Sequence, residues 1–156
     1  MSHSSDDRLR NPFVQYALLL AMSFVHVHVP LEHFRGVLAK GIYLQVFGNH
    51  KFYAGDAGSS KTGLGSSAAC TTAVVAAIMQ YFGIDVEQPQ FRSVAHNIAQ
   101  AAHATAQNKI GSGFDVAAAA YGSGIYVRFS PSAQLNELMT AVCGMCDMYV
   151  TLVDCW

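Results

Sequence analysis

Lys61-Thr-Gly-Leu-Gly65-Ser-Ser-Ala-Ala69 is the stretch of this sequence that decides its fold and its chemistry. Two glycines and two serines stand directly before an alanine-rich segment with the apolar spacing of a helix. Glycine lets the backbone approach an anion closely, and the first N–H groups of a helix have no partner inside the helix. Together with the helix dipole they favour phosphate. The stretch predicts a phosphate site, although an ordinary glycine-rich helix start has the same pattern.

The apolar spacing elsewhere predicts several helices and a few strands. Asn11 suits a helix N-cap and Pro12 the first helical position. The alternating run Phe24–Val29 fits either a strand or the end of that first helix. Helices are predicted at Phe13–Ser23, Thr71–Phe82, Phe91–Gln107 and Val116–Tyr121, with Gly83 as a stop signal, and strands at Gly41–Phe47 and Gly124–Ser130.

A second candidate for chemistry is the carboxylate of Asp115, which follows the tight turn Gly111-Ser-Gly-Phe114. An aspartate at this position could cap the next helix, a contribution of about 1 kcal/mol. It could instead accept a proton from a nucleophile, because flexible backbone presents it on a turn. The residues alone leave both interpretations open.

Composition excludes several classes of protein. The 156 residues are enough for one domain, and the net charge of −1 gives no reason to expect a nucleic-acid partner. Residues 1–10 form a polar tail without the apolar run of a signal peptide. Polar residues interrupt Phe13–Val29, so we predict no membrane span and a cytoplasmic chain. The histidine pair at 26 and 28 and the CxxC at 143–146 are predicted to be incidental rather than metal ligands.

The glycine-rich stretch resembles the nucleotide-binding loop of the GHMP kinases. The string Gly63-Leu-Gly-Ser-Ser-Ala-Ala69 carries this resemblance. A longer pattern from Ala99 to Ser123, which includes Gly111-Ser-Gly-Phe-Asp-Val-Ala117, is similar to the phosphomevalonate kinases within that superfamily. Lys61-Thr62 before the loop fits the same family. The resemblance covers residues 11–131.

The resemblance implies an ATP-dependent transfer of phosphate to (R)-5-phosphomevalonate, with Mg²⁺ as a second cofactor. It implies that Asp115 orients or deprotonates the acceptor or binds the metal, and that Ser67 helps to hold Mg²⁺. It also implies that Lys109, Ser112 and Gly113 contact the substrate. The ATP-binding residues it implies are Lys61, Thr62, Gly63, Leu64, Gly65, Ser66, Ser67, Ala68 and Ala69.

The implied fold is α+β, a partial GHMP kinase N-terminal domain like domain 2 of ribosomal protein S5 at residues 11–131. Residues 132–156 do not follow the family, and we expect its ferredoxin-like C-terminal domain to be absent. Asn108 stands where the family has glycine, and no acidic residue lies between Glu87 and Asp115. We therefore expect an inactive fragment. A non-catalytic nucleotide-binding or interaction module, another GHMP kinase such as mevalonate kinase, and a peroxisomal location remain alternatives.

Overall fold

The computed structural model of this chain describes residues 11–48, 52–54, 60–61 and 65–127. Helices make up most of this part, and its two strands are each two residues long and pair antiparallel. In chain order the elements are α1 (Pro12–His28), α2 (Leu31–Ala39), β1 (Tyr53–Ala54), β2 (Ser60–Lys61), α3 (Ser66–Tyr81), α4 (Pro89–Gln107) and α5 (Phe114–Tyr121). None of the described helices combines the length and the apolar character needed to cross a bilayer.

The core forms where α1, α3 and α4 pack against one another, with α5 against α3 and α4. On α1 the buried residues recur every four positions, at Ala17, Ala21 and Val25, because that spacing lines one face of a helix. Small side chains there let neighbouring helices approach closely. The predicted apolar stripe of α3 is confirmed, since Val74, Val75, Ile78 and Phe82 are all buried.

Helix α1 begins as predicted and continues further than its first apolar run. The Oδ1 atom of Asn11 accepts a hydrogen bond of 3.0 Å from the N–H of Phe13. The alternating run from Phe24 stays helical to His28, and the N–H of Val29 still donates to the carbonyl of Val25 at 3.0 Å. The strand alternative for this run is therefore wrong. As a helix, the run satisfies its own backbone and places Val25 in the buried stripe.

Helices α3 and α4 both end in a residue with left-handed backbone. Gly83 (φ +88°) follows α3, and its N–H and that of Ile84 donate to the carbonyls of Gln80 and Met79. This is the Schellman pattern, so the predicted stop signal is confirmed. Asn108 (φ +51°) makes the same pair of bonds after α4. Asparagine tolerates this conformation, so it can end α4 at a position where the family resemblance led us to expect glycine.

Neither of the two predicted strands is seen in the part of the chain that the structure describes. Residues 41–48 and 124–127 have no regular structure, and the remaining predicted residues, 128–130, lie outside the described part. A strand needs a neighbour for its backbone hydrogen bonds. The described residues offer no such neighbour to 41–48, where Tyr43 and Phe47 are exposed. Helix α2 was not predicted, and its Phe34 ring stacks on Phe82 with centroids 5.2 Å apart.

Candidate functional site

The start of α3 has the geometry of an anion site. Gly65 precedes the helix with a left-handed backbone (φ +72°), and the first helical hydrogen bond runs from the N–H of Ala69 to the Gly65 carbonyl at 3.0 Å. The N–H groups of Ser66, Ser67 and Ala68 thus come before the first bond of the helix. The helix predicted at Thr71–Phe82 thus begins earlier, at Ser66, directly after the glycines of the glycine-rich stretch.

Only some of the other predicted ATP-binding residues lie in the described part of the chain. The described residues do not include Thr62, Gly63 and Leu64. Lys61 is the last residue of β2. Ala68 is fully buried in the core, so its side chain packs and only its backbone could meet a ligand. Ala69 is partly buried.

Asp115 lies beside the start of α3. Gly113, at φ +79°, caps α5, and Asp115 is the second residue of that helix rather than its N-cap, so the capping interpretation of Asp115 is wrong. Its Oδ1 atom accepts a hydrogen bond of 3.0 Å from the N–H of Val116. A Cβ atom added to Gly65 would lie 3.4 Å from the Cβ of Asp115. The two motifs therefore meet, although they are far apart in the sequence.

A buried histidine on α4 joins the two motifs. The Nε2 atom of His103 lies 3.0 Å from the Ser67 hydroxyl oxygen and 3.9 Å from the Asp115 Oδ2 atom. The side-chain nitrogen of Gln107 approaches the same Nε2 atom at 2.9 Å. We call Ser67, His103, Gln107 and Asp115 the polar cluster. Sequence reasoning gave no role to His103 or Gln107, although their spacing of four on a predicted helix places them on one face.

An open cavity of about 290 Å³ adjoins the polar cluster. Its lining residues are Gln100, His103, Gln107, Lys109, Gly111, Ser112, Gly113 and Asp115. The predicted substrate residues Lys109, Ser112 and Gly113 therefore come together with Asp115. The left-handed backbone of Gly113 (φ +79°) favours glycine in this turn, and an added Cβ atom would also lie 2.9 Å from the Gln100 Oε1 atom.

Burial keeps the histidines of α4 neutral. It lowers the pKa of His103, and Lys109 lowers it further, while the Asp115 carboxylate partly opposes both. Burial also lowers the pKa of His96, against a weaker raising effect of its hydrogen bond with Asn97. Because the ordinary histidine pKa is about 6.5, both rings are uncharged at neutral pH.

The free energy of unfolding should therefore fall as the pH is lowered from about 7.5 to about 5. The unfolded chain protonates its histidines near pH 6.5, while folded His96 and His103 protonate only at lower pH. Their contribution to stability is complete above the unfolded pKa and is lost as the pH falls through the folded one. Urea unfolding followed by circular dichroism across this range measures the effect. His96→Phe should make the dependence shallower, and an unchanged slope would contradict the assignment for His96.

The oxygen atoms in the cluster suit Mg²⁺ that arrives with a nucleotide. Ser67 offers a hydroxyl and Asp115 a carboxylate, while no group of three or more His, Cys, Asp or Glu side chains that could hold a metal occurs among the described residues. Mg²⁺ is commonly held by one or two protein oxygens together with phosphate oxygens and water. These residues therefore fit a metal ion that a nucleotide also binds better than a metal ion held by the protein alone.

The family of this chain follows from its sequence as a whole. Residues 28–123 match the model of the GHMP kinases N terminal domain, and these residues contain α2 to α5 and the polar cluster. This chain belongs to the GHMP kinase family.

The individual relatives that match this chain are phosphomevalonate kinases. A protein of Arabidopsis thaliana named "Phosphomevalonate kinase, peroxisomal" is 35% identical across 87% of this chain and 36% of its own length. Phosphomevalonate kinases of Gibberella zeae and Aspergillus fumigatus are 46% and 56% identical, across 62% and 46% of this chain and 23% and 15% of their own lengths. The predicted resemblance to phosphomevalonate kinases is confirmed. The chain spans about a third or less of these relatives, and no solved structure matches it.

Proposed function

We propose that this chain carries the phosphate-binding and acid–base part of an ATP-dependent kinase that phosphorylates (R)-5-phosphomevalonate. The observation that carries the proposal is that Ser67 and Asp115 both lie beside His103 near the start of α3, next to a cavity lined by Asp115 and Lys109. The relatives named phosphomevalonate kinase support the choice of acceptor.

The ATP phosphates lie against the N-terminal end of α3 in this proposal. The N–H groups of Ser66 and Ser67 and the helix dipole attract the anion, and Gly65 leaves room for it. Lys61, Thr62, Gly63 and Leu64 are the other residues that we propose to bind ATP, on the basis of the family resemblance alone. A bound Mg²⁺ would neutralise charge on the phosphates, and the Ser67 hydroxyl oxygen would be the ligand that this chain offers to it.

The acceptor occupies the cavity beside Asp115. An oxygen of its 5-phosphate forms a bond to the γ-phosphorus of ATP, and the bond from that phosphorus to the bridging oxygen breaks to release ADP. Asp115 orients this oxygen and takes its proton where one is present. Lys109 offsets the repulsion between the two anions, and Ser112 and Gly113 shape the wall of the cavity.

Three further proposals concern the protein around this site. Residues 11–131 belong to an N-terminal domain of the α+β class like domain 2 of ribosomal protein S5, and residues 132–156 are a tail whose sequence diverges from the family. We place the protein in the cytoplasm or the peroxisome, and the name of the plant relative supports the second. A small molecule rather than nucleic acid is its partner.

The test uses a chimera in which residues 11–131 replace the matching segment of the plant relative. In a coupled ADP-release assay with Mg-ATP, 5-phosphomevalonate should be turned over at least about tenfold faster than mevalonate, because Lys109 requires an anionic group beside the acceptor oxygen. Faster turnover of mevalonate would identify a mevalonate kinase instead.

The printed chain should bind nucleotide but not turn over 5-phosphomevalonate alone, since it spans only 36% of the plant relative. Phosphoryl transfer needs donor, metal and acceptor held in line, and an error of about 1 Å can lower the rate about 10²-fold. The same assay measures this, with the intact plant enzyme as control. Turnover within about tenfold of the control would contradict the expectation.

A further inference from the structure

His103 is placed to control the Ser67 hydroxyl. It comes from the middle of α4, its side chain is only 6% exposed, and its Nε2 atom lies 3.0 Å from the Ser67 oxygen. The ring of Phe13, at the start of α1, lies against the imidazole with centroids 5.3 Å apart. Three elements therefore fix the position of one imidazole next to one hydroxyl.

The hydrogen bond between Ser67 and His103 can run in either direction, depending on which ring nitrogen carries the proton. The Gln107 side-chain nitrogen lies 2.9 Å from Nε2 and 3.3 Å from Nδ1, so it does not decide between the two. The proposed metal contact does favour one direction, because a hydroxyl oxygen that binds a cation turns its hydrogen away from that cation. Nε2, at 3.0 Å, is then the acceptor for the Ser67 hydrogen, and the proton of the neutral ring is on Nδ1. In this arrangement the oxygen of Ser67 keeps its lone pairs for the metal and has no hydrogen left to give to a phosphate.

We propose that His103 is a positioning residue that holds the hydroxyl hydrogen of Ser67, so that the Ser67 oxygen points its lone pairs at the Mg²⁺ of a bound nucleotide. This inference rests on the proposed function. The Asp115 Oδ2 atom, at 3.9 Å from Nε2, is beyond hydrogen-bond distance and remains available to the acceptor. His103 therefore separates the metal contact of Ser67 from the acceptor contact of Asp115.

The opposite arrangement gives a different result in solution. If His103 donated to Ser67, the hydroxyl hydrogen would go to a phosphate oxygen, and the loss of His103 would weaken ADP binding whether or not Mg²⁺ is present. If His103 accepts the hydrogen bond from Ser67, the loss of His103 weakens only the additional ADP affinity that Mg²⁺ provides. The ratio of ADP affinity with Mg²⁺ to that without it distinguishes these cases.

The experiment measures this ratio on the full printed chain by isothermal titration calorimetry with ADP. His103→Leu should lower the ratio about tenfold, the scale of one lost hydrogen bond near a charge, with Mg-free affinity changed less than about twofold. In His103→Gln the amide oxygen can accept from Ser67, so the ratio should stay within about threefold of the wild type. His96→Leu is the matched control, because it removes another histidine of α4 that does not line the cavity.

The outcomes separate this inference from the proposed function. An unchanged ratio in His103→Leu overturns the inference while nucleotide binding stands, and a wild-type chain that binds neither form of ADP overturns the proposed function and the role of His103 with it. Should His103→Leu not fold, Ser67→Ala replaces it and should lower the ratio by the same factor. Independently of nucleotide, Ser67→Ala should shift the ¹⁵N resonance of His103 Nε2 at neutral pH. An unchanged resonance overturns the contact itself.

Discussion

Replacing Asp115 by asparagine should lower kcat of the chimera by about 10²-fold or more, with the affinity for Mg-ATP changed little. Asparagine keeps the shape of the side chain but can neither take a proton nor carry charge. Asp115 lies beside the start of α3 and lines the cavity where the acceptor is proposed to bind. The loss therefore falls on the chemical step. Steady-state kinetics in the coupled ADP-release assay, with both substrates varied, measures it.

Asp85→Asn is the matched control for this substitution. Asp85 lies in the turn after α3, where it accepts a hydrogen bond from the backbone of Glu87, and it does not line the cavity. Its replacement should leave kcat within about twofold. If Asp115→Asn turned over as fast as this control, Asp115 would be a structural residue of α5 and the proposed acid–base role would be wrong.

Replacing Phe82 by alanine should lower the free energy of unfolding by about 3–5 kcal/mol, the largest effect we expect on stability. Phe82 is 1% exposed and follows α3, where its ring stacks on Phe34 of α2. Its removal leaves a cavity that the surrounding helices can fill only in part. Urea unfolding of the printed chain, followed by circular dichroism at neutral pH, gives the value.

Leu19→Ala provides the comparison, since Leu19 lies on the outer face of α1 and is 59% exposed. It should cost less than about 1 kcal/mol. In the folded fraction, neither change should alter ADP affinity by more than about twofold, because Phe82 lies at the far end of α3, roughly 24 Å from Ser66 at the rise of an α-helix. Equal losses from both substitutions would show that the core is not where the structure places it.

Local sequence rules predicted the helices better than the strands. The N-cap at Asn11, the apolar stripe of α3 and the stop at Gly83 depend on neighbours within a few residues, and all three are observed. The strand predicted at Gly41–Phe47 depends on a partner elsewhere in the chain, which its own composition cannot supply. Helix α2 was missed, and it has no buried residue although five of its nine residues are apolar.

The sequence predicted the glycine-rich stretch and Asp115 as parts of the candidate site, but it did not predict His103, which lies between them. The pattern around Asp115 and the glycine-rich stretch each suggested chemistry, because turn residues and a carboxylate are visible in the sequence. The contact between Ser67 and His103 joins residues 36 positions apart on two helices. No spacing rule within one helix could reveal that contact, since it arises from the packing of α3 against α4.

The central claim, that the start of α3 binds the phosphates of a nucleotide, is tested most directly by following backbone amide resonances of the printed chain as Mg-ADP is added. We predict saturable shifts at Ser66, Ser67 and Ala68, whose N–H groups precede the first helical bond of α3. Val37 of α2 should not shift and serves as the internal reference. Saturable shifts confined to other parts of the chain, or no shift at these three amides at millimolar Mg-ADP, would contradict the claim.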